Sequence, residues 1–109
     1  MKAYNRKIHT IDVQVKEWFD KVNGNSYFGG FVTVNYGRKT AKQISLPFQY
    51  GYGSHAEDMA FKALQKNKII PPQEKMTSYW RYYQENNIIY RHTKYENARK
   101  KDVIAYSEI

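Results

Sequence analysis

Apolar and polar residues alternate near the start of the chain, over residues 11–16. Ile11, Val13 and Val15 are the apolar members of this run, and the residues between them are polar. A period of two is typical of a β-strand with one face in the core. The Asn23-Gly24 pair follows, and such a pair between two apolar runs is a strong signal for a β-hairpin.

Two further strands are predicted after this turn, over about 27–36 and 43–50. Gly29 and Gly30 lie inside the first of them, which indicates a bulge or the close approach of another backbone. Pro47 lies inside the second. Because proline has no N–H to donate to a neighbouring strand, we expect this third strand to lie at an edge of the sheet.

A helix is predicted from Ser54 to about Asn67. Ser54 and Glu57 have the spacing of a capping box, in which each side chain bonds to the backbone N–H of the other residue. The apolar residues that follow fall on one helical face: Ala56, Met59, Ala60, Ala63 and Leu64. The prolines that begin at Pro71 cannot continue this helix.

The remainder of the chain predicts three shorter elements. A second helix is expected from residue 77 or 78 to about 86, where a serine or threonine can precede the first turn. A strand is expected over 88–95. The apolar run over 103–106 would pair back as a last strand, and a helix over 93–105 is the alternative.

These elements predict a single α+β domain over residues 1–109. Its core, residues 8–70, is a three-stranded antiparallel meander with a helix packed across it. The extension, residues 71–109, adds a short helix and a C-terminal β-hairpin.

The composition excludes several classes of protein. The chain has 109 residues and no cysteine, so disulfide bonds and thiolate zinc sites are excluded. No run approaches the ~18 apolar residues of a membrane span. The basic residues near the N-terminus are not followed by the apolar segment of a secretory signal. We therefore expect no membrane partner, and the absence of cysteine fits a reducing compartment.

A net charge of +8 bears most directly on function, and it arises from 18 Lys+Arg against 10 Asp+Glu. A positive field attracts polyanions and speeds the encounter with them. Two clusters could hold the phosphates of a nucleic acid without reading its sequence. They are Arg38, Lys39 and Lys42 in a predicted turn, and Arg99, Lys100 and Lys101 in the late link. The alternative is that each cluster is an ordinary solvated loop.

Aromatic residues make up 17% of the chain, and eleven of its residues are tyrosines. Aromatic rings form rigid contact surfaces for proteins and for nucleic-acid bases. The candidates are Tyr52 and the dense group Tyr79, Trp80, Arg81 and Tyr82. Helical spacing would pack Trp80 and Tyr83 on the sheet and turn Tyr79 and Tyr82 outward.

Catalysis and metal binding find little support in the sequence. His55 lies beside Glu57 and Asp58, but the start of the helix accounts for both acids. No two histidines have the helical spacing of metal ligands. The sequence therefore predicts no enzyme activity, no metal and no cofactor.

Two segments are similar to a family of proteins. They read KEWFDKVNGNSY over residues 16–27 and LPFQYGYG over residues 46–53. They resemble small uncharacterised proteins of bacteriophages and related mobile elements, and the resemblance covers roughly residues 11–67. It implies a phage-associated origin and a place of action in the host cytoplasm, and it brings no assigned activity.

The order of three strands and a helix also resembles, more weakly, the double-stranded-RNA-binding domain. That family places lysines at the start of the helix to hold phosphates. Here Glu57 and Asp58 occupy the first turn, and two acids would repel a phosphate. The resemblance therefore extends to the topology and not to the binding site.

Two functions lead on these grounds. The first is a small, non-enzymatic binding module for nucleic acid, which uses the basic clusters together with the tyrosines. The alternative is a phage-encoded inhibitor that binds and blocks a host protein, such as an acidic defence component. The sequence leaves self-association open.

Overall fold

The Asn23-Gly24 pair lies in the turn of a β-hairpin, as the sequence predicts. The computed structural model describes residues 7–51, 54–74 and 77–108. In it, β1 (Thr10–Asp20) pairs antiparallel with β2 (Asn25–Val34). The turn is a four-residue loop in which Gly24 alone takes a positive φ, 71°. The Gly24 N–H donates to the Asp20 carbonyl at 2.7 Å and closes the loop.

The third strand, β3 (Lys42–Tyr50), pairs antiparallel with β2 and lies at an edge of the sheet, where Pro47 is tolerated. The register between the two strands shifts between Phe28 and Gly30, so the predicted bulge is present. The predicted close approach of another backbone occurs at Gly30. A Cβ at this position would lie only 2.0 Å from the carbonyl oxygen of Gln14.

A fourth strand makes the sheet mixed, which corrects the predicted three-stranded antiparallel meander. This strand, β4 (Ile89–Tyr95), runs parallel to β1 on the side away from β2. The strand order is β3-β2-β1-β4. Residues 51–88 carry the chain from one edge of the sheet to the other, a crossover of the length that parallel pairing requires. The predicted α+β class is confirmed.

Two helices cover one face of the sheet. They are α1 (His55–Lys66) and α2 (Tyr79–Glu85). The core between them and the sheet is built from the apolar residues that the alternation and the helical spacing mark out. Its fully buried members include Ile11, Val13, Val15, Val32, Val34, Ala60 and Leu64.

The predicted C-terminal β-hairpin is wrong, because its second strand is a helix. This helix, α3 (Lys100–Ser107), packs mainly on β2, on the face opposite to α1 and α2. Val103 and Ser107 are its buried residues and lie one turn apart. Gly29 provides the space beneath it, since a Cβ there would lie 3.0 Å from the Val103 carbonyl oxygen. A short apolar run fits a strand or a helix equally. The space at Gly29, a residue distant in the sequence, allows the helix to pack here.

Asn35 fixes the end of β2 where the chain turns towards β3. It is fully buried and has a φ of 55°, a conformation that asparagine tolerates better than most residues. Its side chain accepts from the His9 N–H at 2.6 Å and donates to the Lys7 carbonyl at 2.8 Å and to Thr40 Oγ1 at 3.0 Å. The Asn35 side chain thus links the residues just before β1 to the end of β2 and to the turn that follows it.

Candidate nucleic-acid interface

Three aromatic residues lie side by side across three neighbouring strands. Trp18 of β1 is paired with Tyr27 of β2, and Tyr27 is paired with Tyr50 of β3. Directly paired residues point to the same face of a sheet. The sequence predicts strands that contain Tyr27 and Tyr50, but not that these residues and Trp18 form one surface. The register of the first hairpin is the signal from which the pairing of Trp18 with Tyr27 could have been predicted.

The rings of this row are in contact with one another. The centroids of Trp18 and Tyr27 are 5.5 Å apart, and Phe48 stacks on Tyr27 at 5.2 Å with an angle of 5° between the rings. Tyr50 meets Tyr27 edge-on at 5.8 Å and is 54% exposed. The other three side chains are half-buried. We call Trp18, Tyr27, Phe48 and Tyr50 the aromatic row.

One of the two predicted basic clusters borders the aromatic row. Lys100 Nζ lies 5.6 Å from the centre of the Trp18 ring, within the range of a cation–π interaction. The chain is held here by a 3.0 Å hydrogen bond from the Ala98 N–H to the Glu17 carbonyl. Lys101 is exposed, and Arg99 Nε lies 3.7 Å from a carboxylate oxygen of Asp102. Cations and rings therefore meet at this end of the sheet.

The other predicted basic cluster lies at the opposite end of the sheet. Arg38, Lys39 and Lys42 are exposed in and beside the turn between β2 and β3, near the start of β1. Partial burial and the nearby cations of Arg38 and Lys7 lower the pKa of His9. β1 has 11 residues. A strand of that length spans roughly 35 Å, so the two clusters form separate patches and not one contiguous face.

Tyr83 is buried, as the helical spacing predicts, whereas the other aromatic residues of α2 are oriented differently from that prediction. Tyr82 packs on Phe61 and Tyr79 packs on Tyr90, with ring centroids 5.7 and 5.9 Å apart. Trp80 is instead 56% exposed, and the Arg81 guanidinium lies 6.0 Å from its ring. Tyr79 faces the sheet because its ring packs against Tyr90 on β4. The remaining predicted contact residue, Tyr52, lies outside the described residues.

The predicted capping box at the start of α1 is wrong. Ser54 makes no side-chain capping bond, and the Glu57 carboxylate turns towards β4. Glu57 Oε1 accepts from the Tyr90 hydroxyl at 2.7 Å, and Oε2 lies 3.8 Å from His92 Nδ1. Glu57 bonds to the Tyr90 hydroxyl instead of to the backbone of Ser54. This contact is possible because β4 lies beside β1, and the local sequence does not show that placement.

Burial and the Glu57 carboxylate raise the pKa of Tyr79 and, more strongly, the pKa of Tyr90. Burial likewise raises the pKa of Tyr83. The Tyr83 hydroxyl is buried and has no hydrogen-bond partner in the described part of the chain. These phenols therefore remain neutral to a higher pH than free tyrosine does, and act as donors or as packing groups.

The described residues contain neither a cluster of metal-ligating side chains nor a helix that could span a membrane. Within residues 7–51, 54–74 and 77–108, no three histidine or acidic side chains come together as a metal site. Over the same residues, every helix is too short or too polar to cross a bilayer. His55, the histidine that the sequence placed beside two acids, packs edge-on against Phe28 with ring centroids 5.9 Å apart.

Comparisons of the chain with protein-family models, with curated proteins and with solved structures found no match.

Proposed function

We propose that this chain is a non-enzymatic binding module for single-stranded nucleic acid, and that the outer rings of the aromatic row, Trp18 and Tyr50, are its base-contacting residues. The observation that carries the proposal is the cross-strand row Trp18–Tyr27–Tyr50 with Lys100 beside it. Proteins that bind single strands combine aromatic platforms for the bases with cations for the backbone. The resemblance of residues 11–67 to small phage proteins is compatible with an accessory role in a host cell.

The arrangement favours single strands over duplexes. Stacking requires the flat face of a base, which a duplex conceals and a single strand presents. The row lies on a sheet, and the adjacent helix α3 begins with two exposed cations, Lys100 and Lys101. Each base that stacks on an aromatic side chain contributes about 1–3 kcal/mol and does so with little dependence on sequence.

The two tryptophans of the chain provide the test, because one is in the aromatic row and the other is far from it. A Trp80→Phe variant keeps Trp18 as its only indole, and a Trp18→Phe variant keeps Trp80. Both are titrated with short oligo(dT) and oligo(U) strands at low salt. We expect the fluorescence of Trp18 to be quenched on saturable binding, since a stacked base quenches an indole, and the fluorescence of Trp80 to be unchanged.

A second pair of variants measures the contribution of the row. Trp18→Leu should weaken binding of the same strands, measured by anisotropy, by about 5- to 150-fold, the equivalent of one lost stacking contact. Trp80→Leu is the matched control, because it removes an exposed indole from the other face of the protein. The proposal fails if no strand binds, or if only the Trp80 variants change the binding.

One observation favours the second function, the binding of a host protein. Trp80 is exposed with Arg81 beside it, and tryptophan and arginine are the residues most enriched at the centres of protein interfaces. Affinity capture from a host lysate with and without nuclease separates the two functions. A single protein that is retained after nuclease treatment, and lost in Trp80→Ala, would favour the protein-binding function.

A further inference from the structure

A groove lies on the same face of the sheet as the aromatic row, beyond the C-terminal end of α3. Its volume is about 460 Å³, within the usual range of ligand sites. The side chains that matter for its chemistry are Gln14, Phe31, Thr33, Tyr36, Gln43 and Thr93. They come from β1, β2, β3, β4 and the turn after β2, so all four strands contribute to the groove.

The sheet register arranges these residues in two adjacent rows. Thr33 is paired with Gln43 on one side and with Asp12 on the other. In the next row of this face, Gln14 lies between Phe31 and Thr93. Strands are about 4.8 Å apart. Amide and hydroxyl groups therefore repeat across the floor at intervals comparable to the width of a planar ring.

Four polar side chains of the floor make no hydrogen bond within the described part of the protein. The side-chain amides of Gln14 and Gln43 have no hydrogen-bond partner among the described residues, and neither do the hydroxyls of Thr33 and Thr93. Two amides offer both donors and acceptors, and two hydroxyls offer either. Side chains of these types recognise the edges of nucleic-acid bases.

The charges around the groove disfavour a phosphate there. The Arg91 guanidinium is occupied by Asp12, through hydrogen bonds of 2.6 and 3.1 Å. Ser45, which is paired with Phe31, donates to the carbonyl of Ser107 in the last turn of α3. The C-terminal end of a helix carries partial negative charge, which repels anions. A neutral ligand with hydrogen-bonding edges fits these surroundings better than an anionic one.

Two rings flank the floor. Phe31 is half-buried against Tyr106, with centroids 5.1 Å apart, and Tyr36 is 72% exposed. An exposed ring beside a row of free amides suits a planar ligand, which can be held by its face and by its edge together.

From these observations we propose that the groove binds a nucleobase through its hydrogen-bonding edge, and that Gln14 and Gln43 discriminate between bases. The inference rests on the proposed function in one respect: the base would belong to the strand that stacks on the aromatic row. The groove supplies the base preference, and the aromatic row and the lysines supply affinity that does not depend on sequence.

Free nucleosides test the groove independently of the rest of the surface, since they carry no phosphate. The side-chain amide signals of Gln14 and Gln43 are assigned in ¹⁵N-labelled protein by their loss in Gln14→Met and Gln43→Met. Adenosine, cytidine, guanosine and uridine are then titrated in turn. We expect saturable shifts of these amide signals with one or two nucleosides, and a 2- to 10-fold weaker affinity, on the order of one lost hydrogen bond, in each Met variant.

Gln84→Met is the matched control, because Gln84 is an exposed glutamine on α2. Absence of shifts at both groove amides with all four nucleosides overturns the inference, and so do shifts confined to the aromatic row. In the second case the proposed function survives. Shifts at the groove in a protein that binds no oligonucleotide would support a nucleoside site and overturn the proposed function instead.

Discussion

The hydroxyl of Tyr90 donates a 2.7 Å hydrogen bond to Oε1 of Glu57, and this bond joins β4 to the first turn of α1. The remaining oxygen of Glu57 faces His92 Nδ1 at 3.8 Å. A carboxylate that the local sequence assigns to a helix cap thus connects α1 to β4 through two residues that are 33 positions apart in the chain. Tyr79 and Tyr83 pack against the Tyr90 ring beside this bond, with ring centroids 5.9 and 4.9 Å away.

Replacement of Tyr90 by phenylalanine tests the strength of this contact. The Tyr90→Phe variant keeps the ring and removes the donor, which leaves a largely buried carboxylate with one partner fewer. We expect a loss of about 1–3 kcal/mol in the free energy of unfolding, measured by urea denaturation at pH 8. The matched control is Tyr95→Phe, the same change on the same strand at an exposed ring, which should cost less than about 0.5 kcal/mol. Equal losses in the two variants would show that the bond contributes nothing specific.

The raised pKa of Tyr90 predicts that the protein loses stability at alkaline pH. Burial and Glu57 raise the pKa of Tyr90 above its ordinary value of 10.0. Above about pH 10 the unfolded chain loses the tyrosine proton while the folded chain keeps it. The folded state then binds more protons, so stability falls as the pH rises through this range and is unaffected below it.

For one fully shifted tyrosine the slope is about 1.4 kcal/mol per pH unit, and residual contact with water makes it smaller for Tyr90. Because Tyr90→Phe lacks the ionisable group, the difference in stability between the two proteins should be smaller at pH 11 than at pH 8. Urea denaturation at both values measures it. A difference that stays constant with pH would contradict the assignment of a raised pKa to Tyr90.

The first three strands could be predicted from the sequence because their signals are local. The alternation at Ile11, Val13 and Val15 marks β1, the Asn23-Gly24 pair marks the hairpin, and Pro47 marks an edge. What could not be predicted depends on distant partners. Val103 lies in a helix that packs over the space left by Gly29. The order of elements in the sequence does not reveal whether β4 will pair with β1 or with β3.

The candidate site likewise contains residues that could be predicted from the sequence and residues that could not. Lys100 and its neighbours were found from charge, because a cluster of cations is visible in a linear sequence. Trp18 and Tyr50 were not recognised as one surface, because they are 32 positions apart and meet only through Tyr27 between them. The orientation of Tyr79 was predicted wrongly because a second layer of tyrosine on β4 was not anticipated.

Asn35 allows its backbone and its side chain to be tested separately. Asn35→Gly keeps the freedom to adopt a positive φ but loses the bonds to His9, Lys7 and Thr40. Since the residue is fully buried, we expect a loss of about 2–4 kcal/mol. Asn35→Ala adds the strain of a Cβ at a φ of 55° and should cost about 1 kcal/mol more. Urea denaturation at neutral pH measures both, and an alanine variant as stable as the glycine variant would show that the backbone is not strained.

Salt dependence separates the contribution of Lys100 from that of Trp18 in the binding of single strands. A cation that contacts a phosphate releases a counterion, and its loss lowers the slope of log affinity against log salt by about 0.7 for a single strand. Lys100→Gln should therefore reduce the slope by that amount. Trp18→Leu should weaken binding at every salt concentration and leave the slope unchanged, because stacking releases no counterion.

Lys62→Gln is the control for this measurement, because Lys62 is exposed on α1, on the opposite face of the sheet from the aromatic row. Its slope should equal that of the unaltered protein. Anisotropy titrations of a labelled oligo(dT) strand between 50 and 200 mM salt, on the order of the range over which such slopes are measured, give all four values. If Lys62→Gln and Lys100→Gln lowered the slope equally, the charge would act as a diffuse field, and the cations beside the aromatic row would have no special part in binding.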